Sequence, residues 1–377
     1  MKKLLMINEF QTKLVSNTYT EILNFDISNL DSDSLVEALF QSYSYVLENK
    51  IEDVVFIARN EVYGDLTELF YTMVTFARGE LPFQTYVIPE RYLKAIEKEN
   101  LFIEDIMVKI DISKPRLSEY QVHLNDSCNL NCKGCGHFCP IVSEANFLDL
   151  EKYDRDLSQI NKKFWGVGKI YLLGGEPLLH PQASKFAVVT RKHFPDADIR
   201  LYTNGLLLPK QSKEFWDIIR ENAIHIEISV YAPTLSMFDR IEAVLQKNDA
   251  WEEAILWKNK QLFYKSKLLQ SNGNKEEAFA KCSTKICHYL RDGYLALCPG
   301  ILLRKIFWEH YNIDPQYIPE DNAINLYDES VTGWQIVEYF KQPNEACYFC
   351  GTSQCFDWDT RTMETAQITD WIVEQHL

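Results

Sequence analysis

The chain has 377 residues, of which 46% are hydrophobic and 25% are charged, and its formal net charge is -15. This length allows two or three domains with cores of their own, and the composition excludes a disulfide-stabilised miniprotein and a disordered chain. The negative charge disfavours nucleic acid and anionic membranes as partners. The sequence has no signal-peptide core and no run of about 18 apolar residues, which predicts a cytoplasmic protein with no membrane partner.

Residues 1–115 have the pattern of a small α/β domain. Short apolar runs predict strands, and apolar residues near a 3.6 period predict helices. The strands are expected at 3–7, 53–58 and 83–88, and the helices at 34–49, 65–78 and 91–99. No catalytic motif occurs in this region, so we expect an accessory domain that presents the substrate or forms dimer contacts.

Residues 116–270 show a more regular alternation of strand and helix patterns. The predicted strands are 119–124, 169–173, 198–202, 225–230 and 261–264, and the predicted helices are 150–163, 181–193, 212–222 and 235–247. Repeated βαβ units predict a parallel sheet, here curved into a partial (β/α) barrel. Ligands of such sheets bind beyond the carboxyl ends of the strands, so motifs directly after strands are candidate site residues.

Ten cysteines fall into two groups, one within residues 128–139 and the other within residues 282–355. In a reducing compartment, clustered cysteines indicate metal ligation or catalysis rather than disulfides. The first group is Cys128, Cys132, Cys135 and Cys139, and the second is Cys282, Cys287, Cys298, Cys347, Cys350 and Cys355.

Three cysteines of the first group form a C-x3-C-x2-C loop after the first strand of the predicted barrel. Thiolates at this spacing can hold three corners of a cubane 4Fe-4S cluster, which leaves the fourth iron open to another ligand. Zinc is the main competing metal, because Cys139 or His137 could complete a tetrahedral site.

The motif Gly174-Gly175-Glu176-Pro177 follows the next predicted strand. The two glycines allow the main chain to approach a ligand closely, and Glu176 offers an acceptor to an ammonium group. An isolated motif of this kind is typical of a structural turn. Its position one strand after the cysteine loop makes the combination far more specific.

Together these motifs resemble the radical S-adenosylmethionine (radical SAM) enzymes over residues 118–265. The resemblance implies that Cys128, Cys132 and Cys135 bind a 4Fe-4S cluster and that S-adenosylmethionine chelates its open iron. It further implies cofactor contacts from Gly174, Gly175 and Glu176, and weaker ones from Asn204 and Ser229 after later strands. A flavodoxin- or ferredoxin-type reductant is the implied electron donor.

Two features of the loop depart from this pattern. Gly134 stands where the family often has an aromatic residue, just before the third cysteine. Cys139 is an additional cysteine, and it is either a buried apolar thiol or a hydrogen-atom donor to a product radical, with the buried thiol favoured.

The second cysteine group resembles the SPASM and twitch extensions of radical SAM enzymes. The resemblance implies one auxiliary 4Fe-4S cluster, in a domain at 271–377 that follows a core at 116–270. Its ligands would be Cys282, Cys298, Cys347 and Cys350, with Cys287 and Cys355 as less certain ligands. The spacing also suits a zinc ribbon. Trp358 and Trp371 are interpreted as core or capping aromatics.

The resemblance therefore implies an oxidoreductase or modifying enzyme that abstracts hydrogen from an unactivated C-H bond. A peptide or protein substrate comes first, because auxiliary-cluster relatives mostly modify ribosomally made peptides. A dehydrogenase or epimerase of a sugar or another small molecule is the alternative. A zinc-stabilised binding protein without catalysis remains the alternative of another class.

Overall fold

The computed structural model describes residues 2–10, 15–58, 66, 68–70, 83–89, 92, 102–251, 254–257 and 261–373. Two compact units divide the chain. The first comprises Met1–Ser118, Asn161–Lys169 and Arg191–Asp198, and the second comprises Glu119–Ile160, Ile170–Thr190 and Ile199–Leu377. The three domain ranges expected from the sequence stay predictions.

A five-stranded sheet organises the first unit, in the order β2-β1-β3-β4-β5. Its strands are β1 (Lys2–Asn8), β2 (Tyr19–Asp26), β3 (Asp53–Ile57), β4 (Gln84–Val87) and β5 (Val108–Ile110). Strand β1 pairs in parallel with β2 and β3, β3 pairs in parallel with β4, and β5 is antiparallel to β4. Helices α1 (Ser32–Asn49) and α2 (Ile103–Ile106) belong to the same unit.

Both faces of this sheet are covered by apolar packing. In β1, Leu5 and Ile7 join one buried cluster, whereas Leu4 and Met6 join another. Alternate residues of a strand point to opposite faces, so two clusters follow from one continuous apolar run. Strand β2 is mostly exposed and lacks such a run, which explains why the sequence did not predict it. The helices expected at 65–78 and 91–99 fall mostly outside the described residues.

An eight-stranded sheet consists mainly of residues of the second unit, and its strand order is β10-β9-β8-β7-β6-β12-β13-β14. The strands are β6 (Arg116–His123), β7 (Gly166–Leu173), β8 (Asp198–Thr203), β9 (His225–Ser229), β10 (Ala254–Trp257), β12 (Tyr289–Arg291), β13 (Tyr294–Ala296) and β14 (Ala323–Asn325). Pairing is parallel for β12 with β6, β8 with β9 and β9 with β10, whereas β13 is antiparallel to both of its neighbours. The α/β fold class with a run of parallel strands is confirmed.

Helices alternate with these strands along the chain. They are α3 (Leu150–Lys163), α4 (Ala183–His193), α5 (Lys213–Glu221), α6 (Ala232–Ser236), α7 (Phe238–Lys247), α8 (Lys275–Ala280), α9 (Pro299–Tyr311) and α10 (Gly333–Phe340). The side chain of Ser212 caps α5 by accepting a hydrogen bond from Phe215 N. Among the described helices, none is long and apolar enough to cross a membrane.

One predicted strand lies in a different sheet from the one expected. Residues 261–264 were expected in the parallel sheet, but β10 occupies the position beside β9. The chain at 262–267 instead forms β11 (Leu262–Lys267), which pairs antiparallel with β15 (Cys350–Asp357). The prediction was wrong because an apolar run does not specify which strand will be its partner.

Candidate active site

The loop that follows β6 carries Cys128, Cys132 and Cys135. Cys132 is buried, and the other two are partly buried. The Cys128 sulfur accepts a hydrogen bond from Leu130 N at 3.4 Å. Burial raises the pKa of the Cys128 thiol to about 12 and also raises that of Cys132. A positively charged partner such as iron would therefore be needed to keep these sulfurs as thiolates.

The turn after β7 is hydrogen-bonded to the start of the cysteine loop. Gly175 N donates to Asn125 O and Glu176 N donates to Ser127 O, each at 2.9 Å, and Asn125 Nδ2 donates back to Glu176 O at 2.8 Å. A Cβ at Gly174 would lie 2.4 Å from Asn125 O, and one at Gly175 would lie 2.0 Å from Ser127 O. Both positions therefore require glycine, and the close approach shown is to the main chain before Cys128, whereas the expected approach to a ligand stays a prediction.

The Glu176 carboxylate is fully buried and hydrogen-bonded within the protein. Oε1 accepts from Thr203 Oγ1 at 2.6 Å and from Leu178 N at 3.1 Å, and Oε2 accepts from Asn204 N at 2.9 Å. Burial raises the pKa of Glu176 to about 7. In this structure the side chain ties the turn after β7 to the end of β8, and its contact with a cofactor stays a prediction.

The Asn204 side chain contacts the cysteine loop, whereas the Ser229 side chain is hydrogen-bonded to Tyr202. Asn204 Nδ2 donates to Asn129 Oδ1 at 2.7 Å and lies 3.9 Å from the Cys128 sulfur. Ser229 Oγ donates to Tyr202 OH at 2.7 Å. Of the two residues, Asn204 therefore lies beside the cysteine loop, and the cofactor contacts expected of both stay predictions.

Cys139 is buried, and its sulfur lies 3.8 Å from that of Cys135. The hydrogen bond between these sulfurs lowers the pKa of Cys135 and raises that of Cys139. Cys139 therefore contacts an expected cluster ligand directly through its sulfur. Its role as a hydrogen-atom donor stays a prediction.

Four cysteines of the second group line one cavity of about 750 Å³. They are Cys282, Cys298, Cys347 and Cys350, the set implied for the auxiliary cluster. The Lys267 ammonium lies 3.9 Å from the Cys350 sulfur and counteracts the burial that raises the pKa of Cys298 to about 12. The four thiols equal in number the ligands of a cysteine-ligated 4Fe-4S cluster, and Lys267 places a positive charge beside them.

The two less certain ligands do not line this cavity. Cys355 is exposed on β15, opposite Tyr264 of β11. Cys287 is partly buried, and its thiol is close enough to Gln121 and Glu119 of β6 for both to affect its pKa. Within the described parts of the chain, no three His, Cys, Asp or Glu side chains are placed to hold a single metal ion.

Two contacts to the cysteine loop come from residues that the sequence analysis did not single out as site residues. Trp358 Nε1 donates to the Cys132 sulfur at 3.1 Å, and Trp371 Nε1 donates to Cys135 O at 2.7 Å. Trp371 also packs in a buried cluster, as the sequence interpretation expected of it. No local spacing signals these contacts, because 226 and 236 positions separate the partners.

Comparison with known proteins identifies related sequences. The family model described as the Radical SAM superfamily matches residues 122–256. A GTP 3',8-cyclase of Sulfurovum sp. (strain NBC37-1) is 31% identical over 99 residues, covering 26% of this chain and 30% of that protein. A GTP 3',8-cyclase of Helicobacter pylori is 30% identical over 138 residues, covering 35% and 40%. The chain therefore spans less than half the length of these relatives.

Solved structures give more distant likenesses. BtrN in complex with AdoMet and 2-DOIA has a TM-score of 0.39 at 16% identity, with 63% of this chain and 94% of that chain covered. Streptococcus suis SuiB bound to precursor peptide SuiA has a TM-score of 0.29 at 16% identity, with 38% and 33% covered. Both TM-scores are below 0.5, so neither likeness bears on the substrate.

Proposed function

Residues 122–256 are a domain of the radical SAM superfamily, and on this premise we propose that the protein reductively cleaves S-adenosylmethionine to abstract hydrogen from an unactivated C-H bond. A radical SAM domain implies a 4Fe-4S cluster and S-adenosylmethionine as cofactors. When bound, they supply the electron and the 5'-deoxyadenosyl radical that the side chains of the protein cannot supply.

One observation carries this proposal: backbone hydrogen bonds hold the glycine turn against the start of the cysteine loop. Cys128, Cys132 and Cys135 would hold three irons of the cluster. Gly174 and Gly175 bring the main chain within van der Waals distance of this loop, beside the position expected for the cofactor. Hydrogen bonds thereby connect the segments that follow β6, β7 and β8, through Asn125, Glu176 and Asn204.

The test is anaerobic reconstitution of the full chain, followed by incubation with S-adenosylmethionine and dithionite. We expect 5'-deoxyadenosine from the wild type and none from C132A, because that variant lacks a cluster ligand. C355A is the matched control, since Cys355 is exposed and does not line the cavity. A wild-type protein that holds iron and sulfide but forms no 5'-deoxyadenosine would contradict the proposal.

A second part of the proposal is an auxiliary 4Fe-4S cluster of SPASM or twitch type in the cysteine-lined cavity. Its support is that Cys282, Cys298, Cys347 and Cys350 share this cavity although 68 positions separate the first from the last. We expect about eight irons per chain in the wild type and about four in C347A/C350A, whereas C287A keeps about eight. A colourless protein loaded with zinc would instead support the zinc-stabilised binding protein.

The proposed substrate is a peptide or protein, and electrons would come from a flavodoxin- or ferredoxin-type reductant. This choice rests on the resemblance of the second cysteine group to enzymes that modify ribosomally made peptides. A small-molecule substrate, oxidised or epimerised, is the second candidate. It is favoured by the relatives named GTP 3',8-cyclase, whose name specifies a nucleotide substrate.

Deuterated candidate substrates can separate these two classes. A substrate whose C-H bond is attacked should transfer deuterium to 5'-deoxyadenosine. Transfer from a peptide, but not from nucleotides or sugars, supports the first candidate. The reverse result supports the second and overturns the first.

A further inference from the structure

The chain after β15 returns to the cysteine loop and pairs with it. Cys132 and Thr360 form an isolated antiparallel bridge. Lys133 N donates to Asp359 O, and Arg361 N donates to Asn131 O, each at 2.8 Å. Main-chain hydrogen bonds on both sides of Cys132 therefore hold residues 359–361 against the loop. Residues 356–373, which begin at the end of β15, are here named the C-terminal segment.

The C-terminal segment packs closely against the loop at Gly134. This residue has a φ of +63°, and a Cβ there would lie 2.5 Å from Asp370 O and 2.7 Å from Phe356 Cζ. The Phe356 ring thus fills the space beside a position where the family often has an aromatic side chain. Any side chain at Gly134 would displace the segment, which gives a physical reason for the departure noted in the sequence.

Trp358 is the residue of the segment that contacts a cluster ligand through its sulfur. Its indole N-H donates to the Cys132 sulfur at 3.1 Å. The Tyr231 ring packs beside the indole of Trp358, with 5.7 Å between the ring centroids and an interplanar angle of 33°. Tyr231 follows β9 and precedes α6. The indole of Trp358 is therefore in contact with both the Cys132 sulfur and the Tyr231 ring.

We propose that Trp358 is a positioning residue of the core cluster, whose N-H···S hydrogen bond makes the reduction potential of that cluster more positive. The inference rests on the proposed function, since it requires a cluster on Cys132. Reduction adds one electron from an external reductant and increases the negative charge on the sulfurs. An N-H donor to such a sulfur stabilises the reduced state more than the oxidised state. Removal of the donor therefore makes reduction harder.

The test compares W358F and W371F with the wild type by a redox titration followed by electron paramagnetic resonance. Both substitutions remove an indole N-H and keep an aromatic ring, but only Trp358 donates to a sulfur. The signal that changes when S-adenosylmethionine is added identifies the core cluster. We expect W358F to have a more negative midpoint potential at unchanged iron content, and W371F to match the wild type.

Each outcome of this titration decides the proposal. Equal potentials in W358F and the wild type overturn it, and so do equal shifts in both variants, because these would indicate general loosening of the loop. If W358F fails to assemble a cluster, wild-type protein labelled with 15N at tryptophan Nε1 gives the answer. Electron–nuclear double resonance should then detect a 15N nucleus coupled to the cluster. The absence of this coupling would refute the hydrogen bond from Trp358 to the Cys132 sulfur. Failure of the wild type to bind a cluster would instead refute the proposed function.

Discussion

Arg291 binds both carboxylate oxygens of Asp126 at 2.8 Å, although 165 positions separate the two residues. Asp126 is buried two residues before the first cysteine of the loop, and its Oδ1 also contacts His123 Nδ1 at 3.0 Å. Arg291 ends β12, which pairs in parallel with β6. Strand β12, which lies within the second cysteine group, thereby holds the residue that precedes the loop of Cys128, Cys132 and Cys135.

Replacement of Arg291 should destabilise the second unit strongly. In R291M the Asp126 carboxylate stays buried without its cationic partner, and loss of one member of a buried pair costs about 3–5 kcal/mol. R220M is the matched control, because Arg220 pairs with Asp217 at the surface, where ion pairs contribute little to stability. Urea unfolding of both variants measures the difference, and similar losses of stability in the two would contradict this account.

Substitution of Gly175 by alanine should separate the glycine turn from the cysteine loop. The added Cβ would lie 2.0 Å from Ser127 O, so the backbone must shift, at a cost of about 1–3 kcal/mol or more. We expect G175A to lose stability and most of its 5'-deoxyadenosine formation. G136A is the control within the loop, since a Cβ there has no neighbour within 4 Å. Equal stability and equal 5'-deoxyadenosine formation in G175A and G136A would show that the close approach of Gly175 to Ser127 is not required.

The buried Glu176 carboxyl predicts a specific pH dependence of stability. Burial raises its pKa to about 7 in the folded protein, above the value of about 4.3 expected in the unfolded chain. Between these values the folded state binds more protons than the unfolded state, so the contribution of Glu176 to stability decreases as pH rises from about 4 to 7.

The comparison of E176Q with the wild type isolates this contribution. E176Q is expected to be less stable overall, because an amide cannot accept at both ends from Thr203, Leu178 and Asn204. Its unfolding free energy should nevertheless fall less between pH 5 and 8 than that of the wild type, as urea titrations can show. E48Q, at an exposed position of α1, controls for the loss of one carboxyl group. Identical pH profiles for E176Q and the wild type would rule out the raised pKa.

The part of the site that the sequence predicted depends on neighbouring strands. Cys128 and Gly175 come after β6 and β7, which are adjacent in the sheet, so two local motifs had to meet. Asn204, after β8, follows by the same rule. Strand periodicity identifies such units because each strand is followed by its own helix.

The contacts that the sequence did not predict depend on long-range pairings, which no local sequence pattern indicates. Trp358 reaches Cys132 because β15 pairs with β11 rather than with the main sheet, and an apolar run does not specify that choice. The sequence predicts the strand at 294–297 that follows a turn at Gly293, and β13 (Tyr294–Ala296) confirms it, whereas the three residues of β14 are too few to show a period of two. Arg291 was not predicted as a partner of Asp126 for the same reason, since charge alone does not select one carboxylate.

Lys267 should tune the proposed auxiliary cluster. Its ammonium lies 3.9 Å from the Cys350 sulfur and would be 3.0 Å from a Cβ at Gly300, so it projects into the cysteine-lined cavity. A positive charge there favours the more negative, reduced state of a cluster. We therefore expect K267Q to make the auxiliary midpoint potential more negative and to leave the core potential unchanged. K265Q is the matched control on β11, because Lys265 Nζ instead donates to Thr369 O at 2.8 Å. An unchanged auxiliary potential in K267Q, at full iron content, would show that this charge does not act on the cluster.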